Sequence, residues 1–196
     1  MSRALTIIHD EHRTISAILH GMEYLVREIG VKKKTIDLRV FHAMLYYLDT
    51  FVERVHHPKE DQYLLGILRH RSDEAAALIA VLEREHAGGE ESLRRLAQAL
   101  NRYEEGGEKE FAGFERQVNN FVEGYRNHMR KEEEQLFPLA RKVLTPLDWV
   151  MIDAALEENR DPLASERDAR DFDRLFTRIV TLAPSPIGVG PPAKAS

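Results

Sequence analysis

"HHPKEDQYLL", residues 56–65, interrupts a run of sequence that otherwise reads as one face of a helix. Leu38, Phe41, Leu45, Leu48 and Val52 precede it, Tyr63 stands within it and Ile67 follows, at the alternating spacings of three and four that mark a helix with one side in a core. His56 stands on that same side, and Glu60 follows four residues later. At 100° per residue the two lie only about 40° apart around the axis, so both side chains can reach one buried point. A lone histidine on an apolar face is usually a hydrogen-bonded core residue.

The pattern is used twice. "HMRKEEEQLF", residues 128–137, matches it with His128, Lys131, Glu132, Glu133, Leu136 and Phe137 against His56, Lys59, Glu60, Asp61, Leu64 and Leu65. A second pair of matching dipeptides, Glu11-His12 and Glu85-His86, lies upstream of each copy. His12 falls in the seam Leu5, Ile8, Ile15, Leu19, Met22, Val26, Ile29, and His86 in the seam Ile79, Leu82, Gly89, Leu93, Leu96, Leu100, Tyr103. His128 and Glu132 fall in the seam Phe114, Val118, Phe121, Tyr125, Leu139, Val143. No alternating strand pattern appears. Breaks at "IGVKKKT", "RHRSDE" and "EEGGE", with Gly30 a C-cap and Ser72 or Asp73 an N-cap, separate four long helices. The spacing predicts an all-α, up-down-up-down four-helix bundle. Counting outward from the links, the polar residues fall within about one helical turn of a common height, at ~1.5 Å per residue.

Thr145 and Pro146 occupy N-cap and N1 positions of a further short helix. "ERDARDFDRLFTRIVTLA" reads as another, and "APSPIGVGPPAKAS" as an extended or mobile tail. The expected organisation is a bundle over 1–145, a helical extension of the same domain over 146–183, and a Pro/Gly-rich tail over 184–196.

The 196 residues are 43% hydrophobic and 31% charged, ordinary for a folded chain, and the formal charge of −5 argues against nucleic acid as a partner. Cysteine is absent, which removes thiolate metal sites, iron–sulfur clusters and cysteine nucleophiles. No apolar run approaches the ~20 residues that span a bilayer. "MSRALTIIHDEH" turns polar too soon for a signal peptide, so a cytoplasmic protein with no membrane partner is expected.

Four histidines and two glutamates in one buried layer need an explanation. Burying two carboxylates costs several kcal/mol each in practice unless something compensates their charge. Metal cations do so, whereas a closed histidine–glutamate network only softens the penalty. Nitrogen and oxygen donors without sulfur suit Fe, Mn or Zn, and paired carboxylates in a four-helix core are the usual setting of a di-iron or di-manganese centre.

With those residues in place the chain resembles the hemerythrin-like (HHE cation-binding) family, whose pattern is H…HxxxE…H…HxxxE on four helices. The resemblance covers about residues 5–143. It implies a non-haem di-iron centre, oxo- or hydroxo-bridged and spanned by the two glutamates. Carried over by position, His12, His56, Glu60, His86, His128 and Glu132 are the ligands. Oxygen-carrying members place a further histidine one turn before the third-helix ligand, where this chain has Leu82. A gap is therefore expected at one ion, filled by solvent or Tyr63, or open to O2, NO or peroxide. The leading expectation is a protein that binds or senses iron and such small ligands. A di-iron oxidoreductase acting on peroxide or NO is the second reading, and a partner-binding scaffold with a structural metal, zinc included, is the third.

The other polar residues read more plainly. His57, about 100° round from His56, is expected either beside the ligands without itself binding metal or exposed. His9, one turn before His12, is expected to hydrogen-bond near the site, and His20, His42 and His70 to lie at the surface. Lys59 and Lys131 read as solvated charges, and Tyr63 as a packing residue. Gly88 and Gly89 permit close packing or open a path beside the site, and Pro58 is expected to bend the second helix between His56 and Glu60.

Overall fold

The computed structural model describes residues 2–158, 177–192, 194 and 195. The seams fold as their periodicity dictates, into α1 (Arg3–Gly30), α2 (39–71), α3 (Ala76–Gly106) and α4 (108–143). α1 packs against α2 and α4, and α3 against the same two, which closes the up-down-up-down bundle. The one-residue link Gly107 has φ 67°, a conformation that costs a side chain but not glycine, and it turns α3 directly into α4. Two expected caps differ from their assignments. Gly30 ends α1 in an ordinary helical geometry, and the left-handed residue of that link is Lys33. Ser72 occupies an extended N-cap position but makes no side-chain cap bond, and a single 3-10 turn, Asp73–Ala75, leads into α3.

Winding changes where the site is built. Leu48–His56 and Glu60–Leu65 of α2 are π-helical, with α-helical His57–Lys59 between them. Pro58 accounts for the end of the first of these segments: it has no N–H, and its ring crowds the carbonyl four residues back. The His57 N–H accordingly bonds to the Val52 carbonyl, five residues back. α4 shows the same change at Glu132–Leu136, just ahead of Pro138. Such insertions frequently mark functional positions.

Buried apolar residues form two clusters. One contains Ile15–Ile29 of α1, Val40–Val52 of α2, Leu93–Leu100 of α3 and Phe114–Met129 of α4. The other contains Ala4–Ile8, Leu64–Leu68, Ile79, Leu82 and Leu136–Leu144. Between them lies the layer of His12, His56, Glu60, His86, His128 and Glu132, every one buried.

α5 (Pro146–Glu158) begins where Thr145 and Pro146 place it. The Asp148 carboxylate accepts from the Thr145 N–H (2.9 Å) and hydroxyl (2.7 Å), and Thr145 Oγ1 accepts from the Asp148 N–H in return. Arg71 at the end of α2 donates two hydrogen bonds to the same carboxylate, at 2.7 and 2.9 Å, and holds it down to about pKa 2. Asp153 caps α1 by accepting from Ser2 Oγ and the Ala4 N–H, so α5 closes the end of the bundle. Most of the helix expected over 166–183 lies outside the described residues; its last part, 177–182, is helical. The tail is extended at its end: β1 (Lys34–Thr35), in the link after α1, pairs antiparallel with β2 (Lys194–Ala195). Among the described residues no helix is long and apolar enough to cross a membrane.

Candidate metal centre

Each helix delivers its histidine to the layer, and the nitrogens converge on two carboxylates. Glu60 Oε2 lies 3.5 Å from His56 Nε2 and 3.8 Å from His86 Nε2, and its other oxygen lies 3.8 Å from His12 Nε2. Glu132 Oε1 lies 3.3 Å from His128 Nε2 and 3.7 Å from His86 Nε2, with Oε2 3.2 Å from His12 Nε2. Each glutamate therefore faces both hairpins, one made of α1 and α2 and the other of α3 and α4. Among the six layer residues two groups of donor atoms are each compact enough to hold one ion: His12, His56 and Glu60 in one, and His86, His128, Glu60 and Glu132 in the other. The sequence-derived site residues all meet here.

Behind each imidazole stands a carboxylate. His12 Nδ1 pairs with Glu133 (2.9 Å), His56 Nδ1 with Glu11 (2.8 Å), His86 Nδ1 with Asp61 (2.7 Å) and His128 Nδ1 with Glu85 (3.0 Å). The four acids follow the internal repeat. Glu11 and Glu85 precede the histidine of their own helix but hold the histidine of the next helix along the chain. Asp61 and Glu133 follow the layer glutamates; Asp61 reaches forward to His86 on α3, and Glu133 reaches back to His12 on α1. Lys59 and Lys131 are not solvated charges as expected, because each pairs with one of these acids, Glu11 and Glu85 respectively. An acid accepting from Nδ1–H fixes the tautomer and turns the Nε2 lone pair inward, as around metal-ligating histidines.

The donor set fits a cation on a direct test. All four oxygens of Glu60 and Glu132, together with His12 Nε2, are buried without a hydrogen-bond partner among the described residues. Groups of that kind normally find one, and leaving a charged group unpaired costs several kcal/mol. His86 Nε2 and His128 Nε2 stand 3.1 Å apart. Adjacent ligands at right angles on an ion with bonds of about 2.1 Å are about 3 Å apart.

Electrostatics agrees. Burial, and then the charge of Glu132, raise the Glu60 carboxyl well above its ordinary value. Burial also pushes Glu132 upward, but the charge of His128 and its contacts with His12, His128 and His86 outweigh it and hold that carboxyl well below. For His86, burial is outweighed by Asp61 and Glu132, which raise it to about 9. Burial keeps His56 low despite Glu11. Without metal, the surroundings thus shift both Glu60 and His86 toward their protonated forms, which a bound cation would oppose.

Other expectations sort cleanly. His20, His42 and His70 are exposed as expected; His9, expected to hydrogen-bond near His12, is exposed as well. Tyr63 packs against the apolar cluster below the layer, and Leu82 is fully buried in that cluster. Of the two places expected for His57, the exposed one is excluded and it stands beside the layer. It is buried, its ring stacked on His86 at 4.2 Å, with Nδ1 3.3 Å from Glu53 Oε2. Glu53 in turn accepts from the Tyr125 hydroxyl. Periodicity gave no warning of Glu53 or Tyr125, because a glutamate in a π-turn and a seam tyrosine carry no distinguishing pattern.

A cavity of about 190 Å³ reaches this side of the layer, lined by His57, His128, Tyr125, Gly88, Gly89 and Gly124. That is below the ~300–1,000 Å³ of organic-ligand pockets and suits small molecules. The two glycines of α3 have different roles. A Cβ at Gly89 would collide with the Glu53 carboxylate, whereas one at Gly88 meets nothing within 4 Å. Gly88→Ala should therefore raise Tm, by the roughly 0.5–1 kcal/mol that alanine gains in a helix. Gly89→Ala should lower it by about 1–3 kcal/mol, the usual cost of overpacking. Thermal unfolding of the two variants reads the contrast, and equal shifts would contradict these roles.

A comparison with protein families matches residues 3–140 to the hemerythrin HHE cation binding domain. No curated protein and no solved structure matches the chain.

Proposed function

This chain belongs to the hemerythrin HHE cation-binding family, and from that premise we propose that its buried layer holds two iron ions and binds or senses O2, NO or peroxide. The observation that carries the reading is the convergence of four carboxylate oxygens without hydrogen-bond partners on the Nε2 atoms of four histidines, two from each hairpin. His12 and His56 would hold one ion, His86 and His128 the other, with Glu60 and Glu132 shared between them. Paired carboxylates in a four-helix core favour iron or manganese. Iron bound here supplies one-electron chemistry and coordination positions for a small ligand.

The chain's own residues prepare the layer for that role. Glu11, Asp61, Glu85 and Glu133 keep each imidazole oriented inward. Phe137 stacks on His12 and Phe51 on His56, giving that side of the layer apolar neighbours. Only small molecules fit the cavity on the opposite side, beside His57 and His128.

Metal analysis and an optical spectrum of the full chain, purified anaerobically from iron-replete cells, test the proposal. The expected result is about two iron ions per chain, near-ultraviolet charge-transfer absorption after oxidation, and a spectral change on adding azide or NO. A colourless, iron-free protein would refute the iron assignment. Iron with no response to any small ligand would refute the sensing role.

A further inference from the structure

We propose that His57 is a fifth imidazole ligand, belonging to the His86–His128 half of the layer, so that the two ions have unequal nitrogen sets. This rests on the two-ion reading above and extends it to a residue outside the family pattern.

Three independent features converge on His57. One ring nitrogen of His57 lies within 4.8 Å of ligating nitrogens of both His86 and His128, as a three-imidazole group able to hold an ion. Its ring centroid is 4.2 Å from that of His86 and 5.4 Å from that of His128. Successive helical residues point about 100° apart, so His56 faces the His12 half while His57 faces the other.

Second, His57 is held as the four layer histidines are. Its Nδ1 faces a carboxylate, Glu53, at 3.3 Å, which leaves Nε2 for the layer. That acid is itself buried and fixed by the Tyr125 hydroxyl, in a space that exists only because residue 89 has no Cβ. An ordinary core histidine does not need such a support.

Third, the internal repeat supplies a control. The residue after His56 is His57, and the residue after His128 is Met129, also buried. A thioether is a poor partner for iron, so the His12–His56 half has no third strong side-chain nitrogen of this kind. Leu82 denies α3 a histidine one turn before His86. α2 supplies that imidazole instead.

Cobalt(II) loading of the full-length chain tests this without reference to activity. Each coordinated imidazole keeps an Nδ1–H bonded to a carboxylate, so paramagnetically shifted, exchangeable N–H resonances count the ligands. The expected count is five, from His12, His56, His57, His86 and His128. His57→Gln should remove one resonance and weaken one of the two ions by about 10–100-fold, leaving the other unchanged. Circular dichroism checks that the variant folds. His57→Gly with added imidazole should regain the fifth resonance, which a structural role would not give. Four resonances in the parent, with both ions retained equally by His57→Gln, would overturn the assignment of His57 alone. A parent chain that binds no cobalt would overturn the two-ion reading itself.

Discussion

Glu132→Gln should strip both ions from the full-length chain, lowering the affinity for each by at least about 100-fold, while His20→Ala binds like the parent. The size follows from position. The two Glu132 oxygens face His12 on one side and His86 and His128 on the other, so one side chain serves both halves. Changes to groups that merely orient a ligand already cost about 10–100-fold in metal affinity, and this one removes a shared donor. The amide keeps the shape of the carboxylate but loses its charge. Metal content after equilibration with a weak chelator is the measurement. Two ions retained with affinities within a few-fold of the parent would remove Glu132 from the ligand set.

Chelation should have the second large effect. Each ion held at 100 times its Kd stabilises the fold by about 2.7 kcal/mol, so two contribute about 5 kcal/mol. At about 2–4 °C per kcal/mol for a chain of this size, Tm should fall by roughly 10–20 °C. Glu60→Gln should reverse part of the ordering. The raised pKa of Glu60 means that the folded chain keeps a proton which the unfolded chain releases above the ordinary value of 4.5. Stability without metal therefore falls as pH rises from there toward the folded pKa. Glu132, held low, acts in the opposite sense: its contribution is present above 4.5 and is lost in acid. The groups facing Glu60 are His12, His56, His86 and the acids Glu132, Glu11 and Asp61. A neutral amide removes its share of the loss. Metal-free Glu60→Gln should thus match or exceed the metal-free parent by about 1 kcal/mol at neutral pH, with the gap closing near pH 4. Unfolding curves with and without chelator decide it. A metal-free variant less stable than its parent at pH 7 would show that Glu60 is not held protonated by its neighbours.

The bundle and its six layer residues were legible because both follow from spacing. Seams of three and four fix the helices, and a histidine followed four residues later by a glutamate stays on one face whatever lies opposite. Partners across helices were not legible. The repeat revealed that Glu11 matches Glu85, but a linear pattern carries no information on which neighbouring histidine each acid meets. Lys59 and Lys131 were misread for the same reason, since their partners sit on other helices. The exposed alternative for His57 fails because one helix's periodicity does not show that α3 and α4 enclose the direction about 100° round from His56. The β1–β2 ladder escaped because two-residue strands have no period to detect.

The separation of the apolar interior into two clusters bears on cooperativity. All four long helices run through both clusters, yet the plane where the clusters meet contains charge rather than close-packed hydrocarbon. Ions bound in that plane, as proposed, would act as rivets, tying the hairpins together at the height where apolar adhesion is weakest. Without them the chain has two half-cores that share a backbone, and the boundary between them is where the all-or-none character of its unfolding is least secure.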